Sequence, residues 1–174
     1  MAAARCVVAM LALVSVVPTA QAPDRAALQK AADTFSAADM SAAPVSLKDL
    51  RGRVVLVEFW ATWCAPCLDD IPWIKKARAA HGDRLEVVGV SLDVIDRATF
   101  VSWLRRHDVP WRQVYDGRGW SSPLITPFDL TGIPFNVLVG ADGRIVGTNV
   151  RGERLLRALE VLLPATPDRP AAQP

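Results

Sequence analysis

The chain has 174 residues, of which 51 % are hydrophobic and 22 % are charged, with 20 basic residues against 18 acidic ones. This length allows one ordinary domain with short appendages and excludes two full domains, and the composition excludes a disordered or fibrous chain. Because the charges nearly cancel, they create no long-range field for nucleic acid, and we expect no nucleic-acid partner.

Residues 1–22 have the layout of a secretory signal. Arg5 precedes an apolar run over residues 7–17, and small residues follow it up to Ala22. The next residue is a proline, which disfavours cleavage, and the uncharged stretch 6–22 is at the lower limit of a membrane span, so an uncleaved N-terminal anchor remains an alternative. In both cases we expect the folded part to be periplasmic or otherwise extracytoplasmic.

The first predicted elements lead to a pair of cysteines. Residues 23–43 have a helical composition with a weak apolar face, which predicts a linker or a short helix. Residues 54–60, VVLVEFW, form a β-branched and aromatic run that is typical of a strand covered on both faces. A helix is predicted from Cys64, with a kink at Pro72 and an end at Gly82.

The second half of the chain alternates between strands and helices. We expect a covered strand over residues 84–92, a helix over 96–108 and a short strand over 110–116. A Gly- and Pro-rich loop with a short helix is expected over 117–132, and a hairpin around Gly-Ala-Asp-Gly over 134–150. The last helix is expected over 152–163, and a disordered Pro/Ala-rich tail over 164–174.

This order of elements predicts an α/β fold over residues 44–163. The expected architecture is a central mixed sheet with parallel strands plus an antiparallel C-terminal hairpin, and with helices on both faces.

The only cysteines outside the targeting segment, which contains Cys6, are Cys64 and Cys67. A disulfide that closes so short a loop adds little stability, so the pair is interpreted as chemical. A helix N-terminus favours a thiolate, which predicts Cys64 as the exposed nucleophile and Cys67 as the resolving thiol. Zinc would need four ligands, and neither His81 nor His107 lies in a paired motif, so no metal is expected.

Two segments of the chain resemble a known family. Residues 55–72, VLVEFWATWCAPCLDDIP, are similar to the active-site segment of thioredoxin-like proteins, most closely the extracytoplasmic TlpA/ResA-type thiol-disulfide oxidoreductases. The likeness continues through residues 130–146, LTGIPFNVLVGADGRIV, and covers about residues 44–163. The chain departs from the family at Asp70, where Glu is usual, and at Glu58, where many members have Asn.

The resemblance implies a thioredoxin-like fold and an enzyme that reduces disulfides in protein substrates, with cytochrome c maturation as a candidate pathway. It implies a Cys64–Cys67 redox couple with no other cofactor, a membrane electron donor, and action as a monomer. Ala65 and Pro66 lack the positive charge that strong oxidants of this fold place between the cysteines, so we expect a reducing couple.

The resemblance also implies roles for other residues. Pro134 is expected to be cis, and the backbone of Ile133 is expected to pair with an extended substrate segment. Glu58 is expected to lie beneath the cysteines with a pKa raised by desolvation, and to exchange a proton with Cys67 through water. Trp63 is expected to provide an apolar docking patch.

Trp60 is interpreted as a core residue. Trp120 is also interpreted as a core residue, with a loop position near the active site as the alternative. Two further readings of the fold stay open: a peroxiredoxin-like thiol peroxidase and a non-catalytic copper-carrying or client-binding module. The first needs Thr or Ser three residues before the reactive cysteine, where this chain has Ala61. The second usually has a longer cysteine spacing and a histidine far downstream, and none follows His107.

Overall fold

The computed structural model describes residues 24–164 of the chain. The expected signal or anchor segment, residues 1–22, and all but the first residue of the expected tail lie outside the described residues.

Within the described residues, strands and helices alternate along the chain. The strands are β1 (Ser36–Ala38), β2 (Pro44–Ser46), β3 (Val54–Trp60), β4 (Leu85–Ser91), β5 (Arg112–Val114), β6 (Phe135–Val139) and β7 (Ile145–Thr148). The α-helices are α1 (Arg25–Thr34), α2 (Ala65–Leu68), α3 (Ile71–His81), α4 (Arg97–Arg106) and α5 (Glu153–Leu162). Short 3₁₀ turns occur at Gly82–Arg84, Gly119–Ser121 and Thr126–Phe128.

The central sheet has five strands in the order β5-β4-β3-β6-β7. β3 runs parallel to β4, and β4 runs parallel to β5, whereas β6 lies antiparallel to β3 and to β7. The predicted α/β class, the mixed sheet and the antiparallel hairpin at its edge are therefore confirmed. β1 and β2 form a separate two-stranded antiparallel ribbon.

The middle of the sheet is covered on both faces. Every residue of β3 and of β6 is buried, which matches the near-continuous apolar run that predicted β3 as a covered strand. The carboxyl ends of the parallel strands β3, β4 and β5 lie side by side, and the two cysteines follow the carboxyl end of β3. In α/β sheets, ligands and substrates bind beyond the carboxyl ends of the parallel strands, so a functional site is expected here.

The helix predicted from Cys64 is interrupted instead of merely kinked. α2 ends at Leu68 and α3 begins at Ile71, so the break falls at Asp69 and Asp70, just before Pro72. Pro72 has no N–H to donate to the carbonyl four residues earlier, which is that of Leu68, and its ring clashes with this carbonyl. α3 ends at Gly82 as predicted.

Residues 25–34 form a helix that packs into the main core. Leu28, Ala31 and Ala32 are buried in the same apolar cluster as the central strands. The Gln29 side chain donates to the Gly143 carbonyl at 3.0 Å and accepts from the Ile145 N–H at 2.8 Å, so it occupies backbone groups at the start of the edge strand β7. No helix among the described residues is long and apolar enough to cross a membrane.

Candidate active site

The two cysteines form a disulfide at the end of β3. Cys64 immediately precedes α2 and Cys67 lies within it, with Cα atoms 5.3 Å apart. The Cys67 N–H donates to the Cys64 carbonyl at 2.9 Å, which fixes the turn that brings the sulfurs together. The spacing of three residues therefore places both sulfurs on one turn, as a reversible dithiol/disulfide couple requires.

The surroundings of Cys64 differ from the prediction in two respects. In the oxidised protein Cys64 is only 5 % exposed and Cys67 is 3 % exposed, so the prediction of an exposed Cys64 is wrong for this state. In addition, α2 has a single turn, so the field that favours a thiolate at Cys64 comes from one turn and not from a long helix.

A small cavity lies beneath the disulfide. Its volume is about 10 Å³, which is about what one water molecule needs. The polar side chains on its wall are Glu58, Asp70, Asn136 and Arg151, and Cys67 also lines it. Cys67 therefore shares one small cavity with two carboxyl groups, although most of the other lining residues are apolar.

Glu58 lies in the middle of the buried strand β3 and is 7 % exposed. Its Oε1 accepts a hydrogen bond of 2.8 Å from Nε1 of Trp111. Burial raises the pKa of Glu58 to about 8, and the negative charge of Asp70 acts in the same direction, while the Trp111 hydrogen bond lowers the pKa without offsetting the burial. The carboxyl group thus changes charge within the pH range in which thiols exchange.

Asp70 is the second carboxylate of the cavity. Its Oδ2 accepts from Arg151 Nε at 2.6 Å, and the same guanidinium donates from Nη2 to the Pro66 carbonyl at 3.3 Å. Burial raises the pKa of Asp70, and the charge and hydrogen bond of Arg151 oppose this shift. Arg151 therefore connects the segment before α5 to Pro66 within the CxxC turn and to Asp70 between α2 and α3.

A buried aspartate holds the loop in front of the cysteines. Asp93, which follows β4 and has no exposed surface, accepts from the Thr62 N–H at 3.0 Å and from the Thr62 hydroxyl at 2.6 Å. The Ser91 hydroxyl donates to the same carboxylate at 2.8 Å. Because charge-assisted hydrogen bonds are short and strong, Asp93 fixes the position of Thr62, two residues before Cys64.

The loop before β6 faces the cysteines. The Ile133–Pro134 peptide bond is cis, as the resemblance predicts, and Pro134 lines the same cavity as Cys67. Asn136 lies opposite Glu58 in the β3–β6 register. Its side-chain amide accepts from the Val150 N–H at 3.0 Å and donates to the Val150 carbonyl at 3.1 Å, so it holds the backbone next to Arg151.

The tryptophans near the site differ in exposure. Trp63, beside Cys64, is 57 % exposed. Ala65 and Pro66, between the cysteines, are also exposed. Trp60 is buried and its Nε1 donates to Gln113 Oε1 at 3.0 Å, so its predicted core role is confirmed. Trp120 is 48 % exposed, so its predicted core role is wrong.

The sequence and the family resemblance predicted that Glu58, Cys67 and Pro134 lie close together, and all three line the same cavity in the structure. Sequence reasoning missed Trp111, Asp93 and Arg151. Asp93 had a readable signal, since an acid directly after a covered parallel strand lies at the edge where the neighbouring strand also ends. Trp111 and Arg151 had none, because both contact the site only through the tertiary fold.

No group of three or more His, Cys, Asp or Glu side chains that could hold a metal ion occurs in the part of the chain that the structure describes.

Comparison with known proteins places the chain among thiol-disulfide oxidoreductases. Residues 28–146 match the AhpC/TSA family. The thiol-disulfide oxidoreductase ResA of Bacillus thuringiensis subsp. konkukian is 25 % identical over 135 residues, which cover 77 % of this chain and 75 % of the relative. The chain also matches a thiol-disulfide oxidoreductase structure from Bacteroides fragilis, with a TM-score of 0.66, 28 % identity and coverage of 74 % of this chain and 96 % of the other. The thioredoxin domain of a thiol-disulfide oxidoreductase from Bacteroides vulgatus matches with a TM-score of 0.65, 27 % identity and coverage of 74 % and 91 %.

Proposed function

The chain belongs to the AhpC/TSA family and is a thiol-disulfide oxidoreductase, and we propose that it is exported and that it reduces disulfides in protein substrates. The observation that carries the proposal is the Cys64–Cys67 couple above a cavity that also holds the buried carboxyl group of Glu58. The absence of a positive charge at Ala65 and Pro66 supports the reducing direction.

The reaction begins with the reduced enzyme. The Cys64 thiolate attacks one sulfur of the substrate disulfide, the substrate S–S bond breaks, and the other substrate sulfur leaves as a thiolate that takes up a proton from solvent. The Cys67 thiol then loses its proton and attacks the Cys64 sulfur, which releases the second substrate thiolate. Two electrons pass to the substrate, and the enzyme ends as the Cys64–Cys67 disulfide. A membrane electron donor restores the dithiol.

Glu58 takes the proton from Cys67 in this scheme, through a water molecule in the cavity between them. Three observations support this role: both residues line one cavity, its volume suits one water, and the pKa of Glu58 is raised to about 8. A base whose pKa lies near that of a thiol transfers protons in both directions. Glu58 can therefore take the Cys67 proton when the disulfide forms and return it when the disulfide is reduced, so neither group keeps an uncompensated buried charge.

Substrate binding is assigned to the surface around Cys64. Trp63 is exposed beside the disulfide and offers an apolar contact. The Ile133 backbone, directly before the cis peptide bond, has the position from which it would pair with an extended substrate segment as an added strand. Ala65 and Pro66 are exposed between the cysteines and leave the approach free of bulky side chains.

The test uses insulin as a disulfide-bonded protein and dithiothreitol as the electron donor. We expect the native protein to accelerate insulin reduction, the Cys64→Ser variant to lose this acceleration, and the Cys67→Ser variant to accumulate a mixed disulfide on Cys64 that mass spectrometry detects. Consumption of hydrogen peroxide without insulin reduction would favour a peroxidase and contradict the proposal.

The physiological substrate and the location are addressed by the same trapping variant. The full chain with Cys67→Ser is expressed in cells that make c-type cytochromes, and its mixed disulfides are recovered from the separated cell fractions. Apocytochrome c bound through Cys64 in an extracytoplasmic fraction is the expected result. Recovery of the protein only from the cytoplasm would contradict export.

A further inference from the structure

The side chain of Trp111 reaches across the middle of the central sheet. Trp111 directly precedes β5 and Glu58 lies on β3, and β4 separates these two strands. The indole Nε1 nevertheless donates to Glu58 Oε1 at 2.8 Å, and the two residues are only 4 % and 7 % exposed. On α3, the Arg78 guanidinium carbon lies 5.9 Å from the centre of the Trp111 ring, which is a cation–π distance. The bond therefore joins strands that are not neighbours, in a place where bulk water does not compete for it.

A second side chain of the β5 segment crosses β4 in the same way. Gln113 Oε1 accepts from Nε1 of Trp60, at the end of β3, at 3.0 Å. Gly89 on β4 pairs with Glu58 on one side and with Gln113 on the other, and a Cβ atom on Gly89 would lie 2.3 Å from Gln113 Oε1. The glycine thus leaves the space over β4 that the Gln113 side chain fills. Of these two crossing bonds, only the bond from Trp111 ends on an ionisable group.

The bond from Trp111 gives the two oxygens of the Glu58 carboxyl group different roles. The indole N–H is only a donor, and the carbonyl oxygen of a neutral carboxylic acid is a better acceptor than its hydroxyl oxygen. In the neutral acid Oε1 is therefore the carbonyl oxygen, and the proton resides on Oε2, the oxygen that Trp111 leaves free. When Glu58 is ionised, the same N–H donates to a carboxylate, and such charge-assisted bonds are the stronger ones.

The other titratable and charged groups that face Glu58 come from three segments of the chain. Cys67 on α2, Asp70 after α2 and Arg151 before α5 line the same cavity as Glu58. Burial and the charge of Asp70 raise the pKa of Glu58, whereas the hydrogen bond from Trp111 lowers it. Arg151 is bound to Asp70 at 2.6 Å. Trp111 is therefore the residue that stabilises the Glu58 carboxylate by direct contact.

We propose that Trp111 is a positioning residue for disulfide exchange, which keeps Glu58 Oε1 bound to the indole so that Oε2 takes the Cys67 proton. This inference rests on the proposed function, since it concerns the proton transfer at the same site. In this step the Cys67 proton passes to Oε2 through water, the Cys64–Cys67 bond forms, and the bond between Cys64 and the substrate sulfur breaks. The substrate sulfur leaves as a thiolate with the electron pair of that bond, and the Glu58 carboxylate becomes the neutral acid.

The test removes the indole N–H and keeps the shape of the side chain. The full chain is produced with β-(3-benzothienyl)alanine, in which sulfur replaces the N–H group, in place of Trp111 alone. Carbon-13 NMR follows the Glu58 carboxyl carbon of the oxidised protein through a pH titration, and Glu58→Gln assigns the signal. We expect the titration midpoint to rise by about one pH unit relative to native protein, because the N–H favours the charged form of Glu58.

A kinetic arm measures the step in which Cys67 resolves the mixed disulfide. Reduced protein reacts with dithiobis(nitrobenzoate), and the second release of coloured thiolate reports this step. Its rate at pH 7 should be about three- to tenfold lower with the analogue at Trp111, and the pH midpoint of the rate should rise by about one unit. The matched control has the same analogue in place of Trp60, which removes the bond to Gln113 and should keep the native midpoint and rate.

The outcomes separate this inference from the proposed function. If Glu58→Gln slows the Cys67 step but the analogue at Trp111 leaves the titration midpoint or the rate unchanged, the role of Trp111 is overturned and the proposed function stands. An equal effect of the analogue at Trp60 also overturns the role of Trp111. A native rate in Glu58→Gln removes the proton transfer itself, and with it the role of Trp111, whatever the titration shows.

Discussion

Glu58 is the residue with the most unusual environment in the described structure. It lies within an otherwise apolar strand, is 7 % exposed, and has one hydrogen bond, from Trp111. A buried carboxyl group with so little compensation is costly when ionised, and the pKa rises from the ordinary 4.5 to about 8 for this reason. A strand that only built a core would have an apolar residue here, so packing alone does not explain this carboxyl group.

The raised pKa of Glu58 makes the stability of the oxidised protein depend on pH. Between about pH 4.5 and pH 8 the folded protein holds the Glu58 proton and the unfolded chain releases it, so the free energy of unfolding falls as the pH rises through this range. Glu58→Gln removes this contribution, which amounts to about 5 kcal/mol at most. We expect urea denaturation to show a flatter pH dependence for Glu58→Gln than for native protein, and an unchanged dependence for the exposed control Glu160→Gln.

The same Glu58→Gln variant tests the proton transfer. Stopped-flow reaction of reduced protein with dithiobis(nitrobenzoate) releases one coloured thiolate when Cys64 attacks and a second when Cys67 resolves. The second phase should accelerate with pH up to about 8 in native protein, and should be at least about tenfold slower at neutral pH in Glu58→Gln, with the first phase unchanged. An unchanged second phase would remove Glu58 from the mechanism and leave the dithiol couple intact.

The elements around the cysteines are held together by side chains that come from distant parts of the chain. α2 has one turn and cannot define its own orientation, and the helix stops at Asp69 and Asp70 before α3 begins. Arg151, just before α5, binds Asp70 and the Pro66 carbonyl, while Asp93 after β4 binds Thr62. The CxxC turn is therefore clamped from two sides by charged groups.

We expect Arg151→Met to destabilise the protein by about 1–2 kcal/mol, because it leaves the half-buried Asp70 carboxylate without its partner. Most of this loss should disappear when Arg151→Met is made in a protein that already carries Asp70→Asn. A double-mutant cycle measures this difference from the free energies of unfolding in urea. The matched control is Arg157→Met, which removes the exposed ion pair with Glu153 and should cost less than about 0.5 kcal/mol. Equal losses in the two arginine variants would show that the clamp contributes no more than a surface pair.

Considered as a whole, the described protein has one continuous core that includes the N-terminal helix. Leu28 of α1 is 3 % exposed within the same cluster as β3 and β6, and Gln29 binds backbone groups at the start of β7. α1 therefore covers an edge that would otherwise present unpaired strand groups. The folded unit therefore includes α1, which lies before the range 44–163 expected from the sequence.

Leu28→Ala should lower the free energy of unfolding by about 2–4 kcal/mol, since it opens a cavity in the shared core. We expect a single transition that circular dichroism and tryptophan fluorescence report at the same urea concentration, because α1 unfolds with the sheet. Lys30→Ala on the exposed side of α1 should change the stability by less than about 0.5 kcal/mol. Two separate transitions, or no loss in Leu28→Ala, would make α1 an independent appendage.

Much of the molecule follows from its sequence. The apolar run of residues 54–60 has to be buried on both faces, Gly82 ends a helix, and the turn around Gly143 closes a hairpin, because each depends on local chemistry and on hydrophobic periodicity. The chemistry of Cys64 and Cys67 was equally readable, since their spacing alone brings the sulfurs onto one turn.

Only the tertiary structure decided the surroundings of that chemistry. Trp111 beneath Glu58 and Arg151 beside Asp70 lie 53 and 81 residues away from their partners along the chain. No local pattern encodes such contacts, because they arise when strands and helices from distant segments pack together. The exposure of Trp120 has the same origin: an aromatic side chain favours burial by its own chemistry, whereas the loop that bears it is held by Asp116 with Trp120 at the surface.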